Sequence, residues 1–261
     1  MKHSSLNKYL KIATGKKYAI SIIIVFSSLI LSPLNLRSDV HISKIKHTAS
    51  FSLMNNSTEQ GNERGETWIS RNKFRLDKGK ASSLIIRLDL EKLYLINHKL
   101  KTYSEVDLPL KPDKIFPPPA LKLLEEMKVS GEVIDTGEEK KIRKWKCRKY
   151  LIKIKASLMD IDIELNQQYW VWTKIRGKLN LYQKFQGEVL LLNPLLKEFM
   201  AKIKKIDGYP ILIKSSLKML GAEIKSVDEV VSVERKKAPQ GIYELPEGYK
   251  MTDYSYPSFL R

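Results

Sequence analysis

Four histidines, one cysteine and one alternating run of acids are the residues of this 261-residue chain whose types could support chemistry. His41 and His47 stand six apart in a segment that reads as a strand, so they share a face but lie about 20 Å apart by strand rise. That distance is too great for a shared metal ion. His3 and His98 lie far from both in sequence. Asp160, Asp162 and Glu164 alternate along a strand and lack the glycine turn that a calcium loop needs. Cys147 is the only cysteine, which excludes an intramolecular disulfide and a thiolate metal site. It reads as a buried, inert thiol, because free cysteine is among the most buried residue types. No nucleophile-elbow, phosphate-loop or dinucleotide fingerprint occurs. The expectation is a non-enzymatic protein with no catalytic residue, no metal and no cofactor.

Charge is the second signal. Lysine and arginine number 47 against 29 acids, a net charge of +18. The stretch KKIRKWKCRKYLIKIK, residues 140–155, holds nine basic residues and no acid. An excess of this size favours anionic partners. Lys144, Lys146, Arg148, Lys153 and Lys155 are the candidates for contact with an anionic membrane surface. Nucleic acid is not expected, because the chain reads as exported. Lys16 and Lys17 precede an apolar run from Tyr18 to Leu31, which Pro33 breaks. That run is shorter than the roughly 20 residues of a comfortable span, which is the layout of a secretory signal. Residues 1–38 are therefore read as a signal peptide or an uncleaved N-terminal anchor. Residues 39–261 are read as one exported domain, in the periplasm or on the outer face of a membrane.

The elements that must position these residues follow from hydrophobic period. HISKIKHTASFSLMN (41–55) alternates as a first strand, and a turn is expected near Arg71-Asn72. Residues 82–106 divide into three short strands, Leu84–Leu88, Lys92–Ile96 and Thr102–Val106, separated by DLEK and NHKL, a meander signature. Five prolines between Pro109 and Pro119 demand a loop, after which a helix of about ten residues is expected. Strands resume at Gly131. A longer helical stretch is expected over 180–208, interrupted by Pro194 and ended by Gly208, with two more strands beyond it. In 140–155, Trp145 and Cys147 have one parity while Tyr150, Ile152 and Ile154 have the other. Placing both sets inward predicts a β-bulge near Arg148-Lys149.

Seven aromatics on separate elements, Trp68, Phe74, Trp145, Tyr169, Trp172, Phe185 and Phe199, are the candidates for lining a ligand cavity. The alternative is that they simply fill a core, as aromatics commonly do.

The phrases KFRLDKG, LIIRLDLEKLYLINHKLKTYSEVDL, GEVIDTGEEKKIRKWKCRKYLIKI, YWVWT, GYPILIK and IYELPEGYKM occur in the order seen in an exported bacterial family known as domain of unknown function 4412. The resemblance covers about residues 62–252. That family is in turn similar to the lipoprotein-localisation-factor superfamily. The resemblance implies an α+β fold: a curved antiparallel half-barrel, LolA-like, with helices packed on its concave face. It also implies a lipid or an acylated protein as partner. Where the family has a glycine-aromatic pair ahead of the cysteine, this chain has Lys144-Trp145. The combined expectation is a cell-envelope protein that binds or carries a lipophilic ligand. The alternative is a structural or interaction module with a filled core, acting through a basic surface.

Overall fold

A computed structural model describes residues 39–53, 56–58, 60–111, 118–158, 161–173, 201–203, 205–206 and 208–252. Strand β1 (Val40–Thr48) lies in the middle of a twelve-stranded sheet. β2 (Phe51–Leu53) and β3 (Asn56–Thr58) pair separately as a small hairpin. From one side of β1 a meander runs outward through β4 (Gly61–Ile69), β5 (Lys73–Lys78), β6 (Ser82–Arg87), β7 (Lys92–Asn97) and β8 (Thr102–Asp107). The chain then crosses to the far edge through helix α1 (Pro118–Glu126). A second meander returns through β9 (Lys128–Ile142), β10 (Trp145–Leu158), β11 (Ile161–Trp172), β12 (Tyr209–Met219) and β13 (Ala222–Arg235), which joins β1. The two-residue β14 (Lys250–Met251) runs parallel to β8 and covers its edge.

The expected strands at 84–106 appear almost as read, as β6, β7 and β8. The expected α+β half-barrel with helices on a concave face is overturned. Among the described residues the one helix with defined bounds is α1, of nine residues, and no helical layer covers the sheet. The physical reason is twofold. The proline-rich connection lacks the N–H groups a helix needs, which leaves room for little more than two turns. Elsewhere the apolar residues recur at period two, which only a strand can bury on one side. Of the helix expected over 180–208, residues 201–203 are helical, and most of the rest lies outside the described residues.

Register assigns each side chain to one of two faces. The front face carries Val40 and Ile42 of β1, Ile69 of β4, Phe74 and Leu76 of β5, Leu84 and Ile86 of β6, and Leu93 and Leu95 of β7. On the other meander it carries Tyr150 and Ile152, Leu165 and Tyr169, and Ile213 and Leu217. All of these are buried. Ile203 packs on the group around Tyr150, Ile152 and Tyr169.

On the back face, Ile85, Tyr94 and Ile96 are covered not by a helix but by the C-terminal strap, through Leu245 and Tyr249. This strap leaves β13 beside Asp39, where Lys236 N donates to Asp39 O and Ala238 N to Asp39 Oδ2. It crosses the meander and docks on β8, with Lys250 N donating to Lys101 O and Thr252 N to Tyr103 O. The protein's C-terminal stretch therefore does the work expected of helices.

The bulge expected in β10 is located differently. β10 pairs with β11 without interruption from Cys147↔Trp172 to Leu158↔Ile161. The register shift at Arg148/Tyr150 is against β9, where residues 136–138 face a single β10 residue and Gly137 has a positive φ of 72°. Trp145 and Cys147 therefore lie on the back face and Tyr150 and Ile152 on the front. Both sets are buried because the strand exchanges which side is covered halfway along.

Candidate functional site

Three groupings could carry function, and each follows from strand register. The first is the basic stretch. β9 is an edge strand, and its acids face the β10 cations directly. Lys146 meets Glu139 at 2.5 Å, Arg148 meets Asp135 at 2.7 Å, Lys149 meets Glu138 at 2.7 Å and Lys153 meets Glu132 at 2.9 Å. These partners hold Glu132, Asp135 and Glu139 below the usual carboxylate range. Lys144 lies 5.2 Å from the centre of the Trp145 ring. Lys155 is exposed and faces Glu164 in register. Much of the charge in 140–155 is therefore balanced locally, and charged edge residues also discourage strand-to-strand aggregation. A shallow groove of about 340 Å³ crosses β10–β13, with the exposed Lys153, Lys214 and Lys225 among its walls. None of the five described aromatic candidates lines it.

The second grouping was not visible in sequence. Arg75, Asp77, Ser83, His98 and Tyr249 meet on the back face. Arg75 donates to Asp77 Oδ1 at 2.7 Å, to Ser83 Oγ at 3.1 Å and to the Ile242 carbonyl at 3.0 Å. Ser83 donates its hydroxyl to Asp77. His98 Nε2 then donates to Ser83 Oγ at 2.6 Å, and Tyr249 donates to His98 Nδ1 at 2.9 Å. One neutral tautomer satisfies the whole chain of bonds. Burial, and next the Arg75 charge, lower the His98 pKa, with Asp77 opposing them. A serine, a histidine and an aspartate are thus in contact, but the carboxylate holds the serine instead of orienting the imidazole. Ser83 is also fully buried. The wiring is that of a clamp on the strap.

The third grouping interrupts the front face. Where β13, β1, β4 and β5 lie side by side, register places Val230, Lys44, Gly65 and Lys78 in one row. The neighbouring row is Asp228, Lys46 and Glu63. On the other side of the lysine row lies Thr67, opposite Ile42 and Leu76. Tyr209 of β12, which pairs with Trp172, has its ring centre 5.6 Å from Lys44 Nζ. Burial lowers Lys44 to about 8, with Asp228 opposing. Burial, with help from Lys46, lowers Lys78 to about 8 against Glu63 and Asp228. Both lysines keep part of their surface in solvent, yet the surroundings are apolar enough to disfavour the charge. Among the described residues the Thr67 and Tyr209 hydroxyls have no hydrogen-bond partner, although these residues are 1% and 0% exposed. Gly65 leaves the row open between the lysines; a Cβ there would lie 3.3 Å from the Asp77 carbonyl. Period-two alternation marks lysines in β1 and β5 as inward-facing, and this was the overlooked signal.

The seven aromatics do not converge. Phe74 and Tyr169 lie on the front face, in opposite meanders. Trp145 and Trp172 lie on the back face with ring centres 6.1 Å apart. Trp68, also on the back, stacks on His41 at 4.4 Å and has Lys236 Nζ 5.3 Å from its ring. His41 in turn meets Glu66 at 2.6 Å. Phe185 and Phe199 lie outside the described residues. Burial pushes the Cys147 thiol up to about 11, and the side chain is 1% exposed. Among the described residues no histidine, cysteine and acid cluster could hold a metal.

An open all-β sheet with a cationic seam across its buried face defines the structural class. The chain belongs to the family described as Domain of unknown function (DUF4412), whose model matches residues 41–249. No curated protein matches it. Among solved structures it is similar to PNGF-II, with 13% identity and a TM-score of 0.35 over 85% of this chain and 32% of that one. The chain thus spans about a third of PNGF-II. It is also similar to a domain assigned as an outer membrane lipoprotein-sorting protein from Vibrio parahaemolyticus. That likeness has 6% identity and a TM-score of 0.30, over 85% of this chain and 94% of that one. Likenesses this slight define neither site nor function.

Proposed function

We propose that this is an exported, non-enzymatic cell-envelope protein that holds a lipid or other lipophilic ligand against the front face of its sheet. The observation that supports this reading most is the polar seam. A plain structural core gains nothing from two half-buried ammonium groups, whose desolvation is unfavourable. An amphiphile, by contrast, needs apolar surface and a polar anchor side by side. Phe74, Leu76 and Leu84 on one flank and Tyr169, Ile213 and Leu217 on the other supply the apolar surface. Burying an acyl chain there would contribute about 0.8 kcal/mol per methylene.

The test is native mass spectrometry of the mature protein purified from its host. A co-purifying lipid is the expected result, and a ligand-free protein that also fails to take up added lipid would sink the reading. The export component is tested by deleting residues 1–38, which should abolish envelope localisation. A second reading, an interaction module acting through a basic surface, draws on the exposed lysines of the β10–β13 groove. It is the weaker of the two, because Lys153 is paired with Glu132 and Lys225 with Glu223.

A further inference from the structure

We infer that the turns at one end of the first meander dock on an anionic phospholipid surface. Leu100 and Met251 enter the interface, and Lys80, Lys99, Lys101 and Lys250 face the head groups. The inference goes beyond the lipophilic-ligand reading, since it concerns an outer surface and not the front face of the sheet. Backbone bonds hold these six residues side by side. The β5–β6 turn is tied to the β7–β8 turn, because His98 N donates to Ala81 O at 2.9 Å. Leu100 N donates to Asn97 Oδ1 at 3.0 Å within the second of these turns. Lys250 N donates to Lys101 O at 3.0 Å, and Met251 pairs with Tyr103, which sets β14 against the same turn. Neighbouring strands lie about 5 Å apart, so the turns and β14 form one strip about 20 Å long.

A single exposed leucine is ordinary; what distinguishes Leu100 is its company. Leu100 is 64% exposed and Met251 59%, the two most exposed large apolar side chains among the described residues. All four lysines are exposed, and among the described residues none of them has an ion pair. The cations of β10, by contrast, are largely matched by the acids of β9. The turn at the opposite end of β7 shows the reverse pattern, with the exposed Leu90 between Asp89 and Glu91. Acids also approach the strip. Glu63 lies beside Gly79, where a Cβ would meet its Oε1 at 3.1 Å, and Glu247 stands on the strap; neither pairs with the four lysines. The side-chain types select the partner. Nucleic acid is gripped chiefly by arginine and aromatic side chains. Lysine and aliphatic side chains suit a bilayer, where the ammonium groups stay among head groups while the apolar tips enter the acyl boundary.

The experiment is co-sedimentation of the mature protein, purified from its host, with vesicles of phosphatidylcholine alone or mixed equally with phosphatidylglycerol. Binding to the mixed vesicles is expected to be at least about tenfold tighter and to weaken as salt is raised. Lys99→Gln and Lys101→Gln should each weaken it about fivefold, and Leu100→Ser about tenfold. Lys237→Gln and Leu90→Ser make the same changes at exposed positions at the other end of the sheet, and should leave binding within about twofold. Leu100→Trp should shift its emission to the blue on the mixed vesicles only, which tests insertion without relying on a weakened variant. Equal binding to both kinds of vesicle, or equal weakening by Lys237→Gln and Lys99→Gln, would overturn the assignment. So would a Leu100→Trp emission that does not move on the mixed vesicles. Binding to heparin with the same lysine dependence, but to neither kind of vesicle, would replace the membrane by a soluble polyanion and overturn the proposal.

Discussion

Lys44 shows what a single side chain can reveal. Its pKa is about 8 in the fold against about 10.5 unfolded, so between those values the unfolded chain binds more protons and stability rises with pH. Below pH 8 the full penalty applies, on the order of 3 kcal/mol. Lys44→Met should therefore raise stability in urea titration at pH 7 by about that amount, with the gain shrinking as pH climbs from about 8 to about 10.5. A destabilised variant would mean that Lys44 serves the fold and not a ligand. Cys147 makes the opposite case. Its raised pKa and burial predict that the native thiol resists iodoacetamide at pH 8 and reacts only once the protein unfolds. Rapid native labelling would contradict this placement. Here sequence reasoning was enough, since a lone cysteine on an alternating strand has few other roles. It was not enough for Thr67 and Tyr209, because an orphaned hydroxyl can be recognised only once its neighbours are known.

At the scale of elements, turns and the strap set stability. Met219 pairs with Ala222, so Leu220-Gly221 is a two-residue hairpin loop, with φ of 51° and 76°. Leucine is poorly suited to a positive φ, and Leu220 is also exposed. Leu220→Asn should stabilise the protein by about 1 kcal/mol, read as a rise in melting temperature. Gly208 presents the reverse case: at φ 128°, a Cβ would stand 2.5 Å from the Trp172 carbonyl. Gly208→Ala should cost about 3 kcal/mol or more, through strain and a clash with β11. The sequence reading placed Gly208 at the end of a helix that lies mostly outside the described residues, and the close approach of β11 comes from long-range pairing.

The clamp makes the strap sensitive to acid. The His98 pKa is lowered in the fold, so its contribution to stability is complete above the unfolded value of about 6.5. That contribution falls as pH drops toward the folded value. Hydrogen exchange at the backbone amides of Lys250 and Thr252, taken relative to the intrinsic rate at each pH, should therefore accelerate below pH 6 in the wild type. The acceleration should vanish in His98→Gln, and equal acceleration in both proteins would remove His98 from the clamp.

At the scale of the whole molecule, the sheet is assembled from two meanders on either side of β1, and the crossover through α1 joins their far edges. Short alternating segments with turn-forming residues between them announce strands, so β6, β7 and β8 were legible from local pattern alone. The short helix after the proline-rich connection was legible too. The family membership expected from phrase order holds over residues 41–249. By itself, then, the sequence determined which segments are strands, that Cys147 is unpaired, and to which family the chain belongs, because each depends on neighbours within a few residues or on residue order. Only the tertiary structure decided that a strap and not a layer of helices covers the back of the meander, and that β10 buries opposite faces at its two ends. It alone put Lys44 and Lys78 in one row across β1, β4 and β5 and set the Tyr209 ring beside Lys44. Those outcomes depend on which strands lie side by side and in what register, and register is set by the packing of the whole sheet.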